Sequence, residues 1–141
     1  MKRLIYIYMV LGMMMASCTL ERSDNGEMDG MWLMQTVDTL STGGTADVRE
    51  KFISWSFQVH LMQLRHPKHT LDFHFQHEGN LLILKDVFID DRMNGDPVVT
   101  DIEVLKEVGL SQLQDTFSIV SLDSENLDIA NRQYCYHFRR Y

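Results

Sequence analysis

Apolar and polar residues alternate along most of the chain after residue 30. The clearest stretch has an apolar side of Ile53, Trp55, Phe57, Val59 and Leu61 and a polar side of Ser54, Ser56, Gln58 and His60. Because successive side chains of a strand point to opposite faces, this pattern predicts a strand with one buried face. Alternation also predicts strands over residues 31–38, 71–78 and 133–140, and further strands are predicted over residues 116–122 and 126–130. Residues 81–89 form a nearly continuous apolar run, interrupted by Lys85 and Asp86, that predicts a strand whose buried face the pattern leaves open.

The segments between these predicted strands carry turn residues. Residues 41–46 are rich in Gly and Thr and predict a loop, residues 66–69 predict a turn, and residues 78–80 contain Gly79 in a tight connection. Residues 90–97 predict a longer loop.

One helix is predicted between Thr100 and Gly109, before the last three strands. Thr100 and Glu103 have the spacing of a capping box, and Gly109 is placed to end the helix. The residues of its apolar stripe are Ile102, Leu105 and Val108.

Short antiparallel strands with a single helix are compatible with a sandwich or with a closed barrel. We favour the barrel because closure removes the exposed edge strands that promote aggregation. The expected fold class is therefore all-β, a small antiparallel up-and-down barrel of about eight strands.

The first 18 residues have a different pattern. Lys2 and Arg3 precede an apolar run over residues 4–14, and small residues lead to Cys18. The run is about half of the ~20 residues that a transmembrane helix needs, which argues against a retained anchor. The segment resembles a bacterial lipoprotein signal, and this resemblance implies cleavage before Cys18 and acylation of its sulfur. The expected organisation is a signal peptide over residues 1–17, a lipidated Cys18 with a flexible tether over residues 18–28, and a folded domain over residues 29–141.

The resemblance also implies a location. Thr19 follows the cysteine where an Asp would favour the inner membrane, so we expect a cell-envelope, outer-membrane lipoprotein, periplasmic or surface-exposed. Its contact with the membrane would be the lipid on Cys18. Lipidation would leave Cys135 without a disulfide partner, and we expect that thiol to pack as a small hydrophobe rather than to act as a reactive or dimer-forming group.

Charge excludes one class of partner. The chain has 13 basic and 20 acidic residues and a net charge of −7; without Lys2 and Arg3 the basic residues become 11 and the net charge −9. Nucleic-acid binding needs a basic face that releases counterions, so we expect no nucleic-acid partner.

A family resemblance comes from the two ends of the domain. Gly30-Met31-Trp32 in the first strand, with Arg139 or Arg140 at the end of the last, resembles the calycin pattern of lipocalins. The resemblance implies a barrel in which Trp32 packs under one of these arginines at the closed end, as a structural signature that does not touch ligand.

The same resemblance implies a small hydrophobic or amphipathic ligand at the open end. The candidate cavity residues are Trp55, Phe57, Phe73, Phe75, Tyr134 and Tyr136. The interior of an eight-stranded barrel is only just wide enough for side chains or one small molecule, however, and these side chains are large. The alternative is a filled barrel whose loops at residues 66–69 and 90–96 contact an envelope protein partner.

The remaining candidate chemistry is weak. His66 and His69, and His74 and His77, have His-x-x-His spacing. His74 and His77 lie three apart on a predicted strand and so point to opposite faces. His66 and His69 lie in a predicted turn, but no cysteine or carboxylate at a ligand-like spacing completes them, and we expect no metal. The loop that starts at Asp90 resembles a calcium loop only in part. No nucleophile elbow, phosphate-binding loop, zinc-protease helix or dinucleotide fingerprint is present, so we expect no enzyme and no cofactor. A hydrolase site assembled from distant residues is the third hypothesis.

Overall fold

The structure is a computed structural model that describes Met1 and residues 23–141. Cys18 and almost all of the predicted signal peptide lie outside the described residues. No helix in the described part of the chain is long and apolar enough to cross a membrane.

The described chain is built from antiparallel strands that close on themselves. The strands are β1 (Gly30–Thr39), β2 (Gly44–Asp47), β3 (Ser54–Gln58), β4 (Leu61–Arg65), β5 (Thr70–Glu78), β6 (Leu81–Ile89), β7 (Asp115–Leu122), β8 (Asn126–Ala130) and β9 (Tyr134–Arg140). Their order is β2-β1-β3-β4-β5-β6-β7-β8-β9, and β1 also pairs with β9. Eight strands therefore form a closed up-and-down barrel and β2 extends beside β1, which confirms the predicted fold class.

One predicted strand was wrong in its extent. Residues 53–61 do not form a single strand, because the chain turns at Val59 and His60 between β3 and β4. Val59 has a left-handed backbone with φ of 55°, a conformation that is rare for a β-branched residue and that the sequence pattern did not indicate. The predicted loop over residues 41–46 likewise contains the first residues of β2, which pairs with the end of β1.

The helix α1 (Ile102–Glu107) lies before the last three strands, as predicted. Its N-cap is Asp101 rather than Thr100, because the Asp101 carboxylate accepts a hydrogen bond from the Glu103 amide at 2.9 Å. Leu105 is fully buried and belongs to the same core as the inward-facing strand residues. This contact packs α1 against the barrel.

Aromatic rings fill much of the barrel interior. Trp55 lies 5.3 Å from Phe138 and 5.7 Å from Phe117, measured between ring centroids, and the Phe57 and Phe75 rings pack edge to face at 5.1 Å. Such close offset and edge contacts leave little empty space between the rings.

One end of the barrel is closed around Arg140. Its Cζ lies 4.2 Å from the centroid of the Trp32 ring. Its guanidinium donates to three backbone oxygens, from Nη1 to Asp29 at 2.8 Å, from Nη2 to Glu27 at 2.6 Å and from Nε to Ser124 at 2.6 Å. Arg140 thus joins the segment before β1 to the turn between β7 and β8.

The other signature residues surround this contact. Trp32 Nε1 donates to the Met28 carbonyl oxygen at 2.8 Å, within a 3-10 turn over Gly26–Met28. Gly30 has a φ of 119°, and a Cβ there would lie 2.6 Å from Arg140 Nη1. Of the two arginines, Arg139 is exposed on the outer face and Arg140 covers the indole.

Candidate functional site

A cleft of about 500 Å³ opens at the other end of the barrel. One side of the cleft is formed by the end of α1 and the segment that follows it. The other side is formed by the strands β1 and β9. Its apolar wall consists of Met34, Val37, Val48, Ile53, Val108 and Leu110, with the rings of Tyr134 and Tyr136. Its polar residues are Lys51, His66, Lys106, Glu107, Ser111 and Gln133.

The barrel topology explains why these residues meet. Antiparallel strands place the end of β1, the turn between β4 and β5, and the turn between β8 and β9 at the same end of the barrel. The long connection between β6 and β7 crosses this end and carries α1. The cleft is the space that the helix leaves uncovered.

A second hollow contrasts with this cleft. It has a volume of about 590 Å³ but is bordered only by Asp47, Arg49, Glu50 and Lys51, all exposed and charged. Without an apolar wall it offers little to an apolar ligand, so the cleft is the better candidate site despite its smaller volume.

Tyr136 forms the inner part of the cleft. The side chain is 3% exposed, and its hydroxyl donates to the Gly109 carbonyl oxygen at 3.2 Å. Burial raises the pKa of this phenol far above its usual value, so Tyr136 remains neutral. Tyr134 is partly exposed, with its ring centroid 6.0 Å from that of Tyr136.

The six residues that the sequence suggested for a cavity lie in two different places in the structure. Tyr134 and Tyr136 line the cleft. Trp55, Phe57, Phe73 and Phe75 are at most 2% exposed and lie in the barrel interior, outside the cleft lining. These four side chains fill the volume that a central ligand would need, and whether any of the six contacts a ligand stays a prediction.

Ion pairs around the mouth neutralise some of its charged groups. Glu107 contacts His69 at 2.5 Å and Lys68 at 3.7 Å, and the hydrogen bond from His69, followed by the Lys68 charge, lowers the pKa of this carboxyl. Lys106 Nζ lies 2.6 Å from a carboxylate oxygen of Glu103. The first contact ties the end of α1 to the turn between β4 and β5.

The histidine pairs do not converge on an ion site. His69 faces Glu107, whereas His74 contacts Asp86 at 3.2 Å and His77 contacts the Gly79 carbonyl oxygen at 3.0 Å. Over residues 23–141, no group of three or more His, Cys, Asp or Glu side chains is arranged to hold a metal ion.

Sequence reasoning missed several residues of this site. Lys51 is the last residue of a 3-10 turn, Arg49–Lys51, and His66, which the sequence singled out only in a His-x-x-His pair and a predicted turn, follows β4, so no short motif connects them. Val48 and Leu110 carry no signal beyond their apolar character. Val108, in the apolar stripe of the predicted helix, and Gly109, at its predicted end, pointed toward the segment that forms one wall.

A closed eight-stranded antiparallel barrel, with a helix near its open end and an arginine stacked on the tryptophan of its first strand, defines a lipocalin-like protein. The sequence profile of the lipocalin-like domain matches residues 13–141, and the chain belongs to this family.

Solved structures agree with this fold. The crystal structure of a lipocalin-like protein from Bacteroides uniformis ATCC 8492 is similar, with a TM-score of 0.63 and 15% sequence identity over 82% of this chain and 100% of that one. The crystal structure of an uncharacterized protein from Bacteroides eggerthii DSM 20697 has a TM-score of 0.55 and 12% identity, over 81% and 99% of the two chains. A comparison with curated protein sequences finds no match. At these identities the similar structures establish the fold alone.

Proposed function

We propose that the protein binds a small hydrophobic or amphipathic molecule in the cleft at the open end of the barrel. The observation that supports this is a cleft of about 500 Å³ with an apolar wall and a polar mouth. Sites for small molecules typically have volumes of about 300–1,000 Å³ and combine apolar walls with a few polar groups. Because the deeper part of the barrel interior is filled, the ligand would lie at the open end, between α1 and the inward-facing residues of β1 and β9, rather than deep in the barrel.

A charge placed in the apolar wall tests this proposal. Val37 lies on β1 and lines the cleft, so Val37→Glu should weaken binding of a dodecyl-chain alcohol by about tenfold or more, since a buried unpaired carboxylate is costly. Isothermal titration calorimetry would measure the affinity, and circular dichroism would show that the variant is folded.

The matched control is Val120→Glu, on β7 at a position that is 63% exposed. Binding should be unchanged in this variant. Equal affinity in both variants, or no binding by the unaltered protein, would contradict the proposed function.

We also propose that the role is one of binding rather than catalysis and that the protein is held at the outer membrane through a lipid on Cys18. The sequence of the first 18 residues supports the anchor. Two acyl chains would suffice for stable attachment, because each buried CH2 contributes about 0.8 kcal/mol.

A second candidate function is that of an interaction protein. The filled interior favours it, as does Met93, which is 96% exposed in the loop between β6 and α1. Failure of the unaltered protein to bind any apolar probe would favour this function, and cross-linking in intact cells would then identify the partner.

A further inference from the structure

We propose that the cleft selects an amphiphile with one apolar chain and an anionic head, a carboxylate or a phosphate, and that Lys51 binds this head. This inference rests on the proposed function, because it names the class of ligand that the same cleft would take. It follows from the charged groups at the mouth of the cleft and from the partners that each of them has.

The carboxylate at the mouth already has partners. Glu107 is shared between His69 and Lys68, on the side of the turn between β4 and β5. A cationic head would have to displace these contacts to use the Glu107 charge. The cleft therefore presents little negative charge of its own to a ligand.

Lys51 differs from the other lysine of the lining. Lys106 is paired with Glu103 at 2.6 Å. No carboxylate of residues 23–141 lies within 4.0 Å of Lys51 Nζ, although the side chain lines the cleft. An exposed cation beside an apolar wall favours a ligand whose anionic end can reach it while its chain is buried.

His66 adds a neutral donor to the same site. Its Nδ1 accepts a hydrogen bond from the Lys68 amide at 3.2 Å, so the neutral ring carries its proton on Nε2. Burial lowers the pKa of this imidazole, and the Lys51 and Lys68 charges lower it further. Lys51 and His66 both line the cleft, and together they offer a cation and a hydrogen-bond donor.

The preference for an anionic head has to come from the groups at the mouth of the cleft. The protein carries a net charge of −7, so its overall field repels anions. At physiological ionic strength charges further away than about 8 Å are largely screened, and the groups at the mouth decide which head binds. A preference for an anion would therefore be a property of the cleft and not of the whole surface.

Four probes with the same chain test the proposal: dodecanoate, dodecyl phosphate and dodecyltrimethylammonium, each below its micelle concentration, and dodecanol below its solubility limit. Isothermal titration calorimetry on the purified protein should show one or both anions binding about tenfold or more tightly than dodecanol, the size of effect that a charge-assisted hydrogen bond produces. The ratio between the two anions distinguishes a carboxylate ligand from a phosphate ligand. Dodecyltrimethylammonium should bind more weakly than dodecanol.

Lys51→Gln should remove most of the preference for the anions and leave the affinity for dodecanol unchanged. Lys85→Gln, on β6 and outside the cleft lining, is the matched control and should bind all four probes as the unaltered protein does. Equal weakening of all four probes by Lys51→Gln would overturn the role of Lys51 in binding the head.

The outcomes separate this inference from the proposed function. If dodecanol binds as tightly as the anions, or the cation binds best, the anionic ligand is ruled out while the cleft remains a binding site. If none of the four probes binds, the proposed function fails and this inference fails with it.

Discussion

Arg140 illustrates how a single residue determines one end of this fold. Its guanidinium lies over Trp32 and donates to the backbone of Glu27, Asp29 and Ser124. Only a planar group with several fixed donors can make these contacts together. Because Gly30 has no Cβ, the guanidinium can approach the backbone at the start of β1.

We expect Arg140→Lys to lower the free energy of unfolding by about 1–3 kcal/mol, since a lysine can replace only one of the hydrogen bonds and the other carbonyl oxygens, including the partly buried one of Asp29, lose their donors. Urea unfolding followed by tryptophan fluorescence would measure the change. Arg139→Lys is the control, because Arg139 is exposed, and it should change the free energy by at most about 0.5 kcal/mol. Equal effects of the two substitutions would show that the contacts of Arg140 do not stabilise the fold.

Among the strand contacts, the pairing of β1 with β9 closes the barrel, and His137 reinforces it. His137 on β9 contacts Asp38 on β1 through Nε2 at 2.9 Å and Asp128 on β8 through Nδ1 at 2.7 Å. Burial alone would lower the pKa of this histidine, but the hydrogen bonds to Asp38 and Asp128 outweigh burial and raise it. For Asp38, hydrogen bonds from Thr45 and His137 lower the pKa.

The signs of these shifts give a pH window. A raised histidine pKa stabilises the folded state fully below the usual value of 6.5, and this contribution is lost as the pH rises through the folded pKa. The lowered pKa of Asp38 stabilises the folded state at pH values above the usual Asp pKa of 3.8, and this contribution is lost as the pH falls through the folded pKa. The Tm difference between the unaltered protein and His137→Asn should therefore be largest between about pH 4 and pH 6.5 and should shrink in more alkaline buffer.

Thermal unfolding at a series of pH values would measure this difference. His77→Asn provides the comparison, since His77 contacts the nearby Gly79 carbonyl oxygen and no carboxylate on another strand. Its effect on Tm should vary less across the same range. A His137→Asn effect that grows above pH 7 would contradict the assignment.

At the level of the whole molecule, the sequence predicted the architecture better than the site. Alternation identified most strands, and local capping signals identified α1, because both depend on neighbours in the chain. The turn at Val59 was missed because a β-branched residue with positive φ carries no turn signal. Alternation also cannot distinguish Phe57, deep in the barrel, from Tyr134, at the cleft, since both face inward and differ only in their position along the barrel axis.

Barrel closure also fixes where the cleft lies relative to the predicted lipid anchor. The chain enters the fold at the closed end, where Asn25 Nδ2 donates to the Val59 carbonyl oxygen at 2.8 Å. The cleft lies at the opposite end, and the nine-residue strand β5 spans about 27 Å. The segment from Cys18 to Ser23 can extend only about 18 Å. A protein anchored through Cys18 would therefore hold its closed end near the membrane and its cleft away from it.

Fluorescent labels at the two ends test this orientation. In a Cys135→Ser background, a label at Tyr141→Cys should be quenched by lipids brominated near the headgroup in reconstituted vesicles, whereas one at Leu40→Cys should be quenched much less. Tyr141 donates its amide to Met31 at the closed end, and Leu40 donates its amide to Gln133 at the open end. Both positions are exposed, so a label should leave the core intact. Replacement of Cys18 by Ala should abolish quenching of both labels, because in the proposed arrangement the lipid on Cys18 alone would attach the protein. Stronger quenching at Leu40 would mean that the cleft faces the membrane, and a ligand would then enter directly from the bilayer.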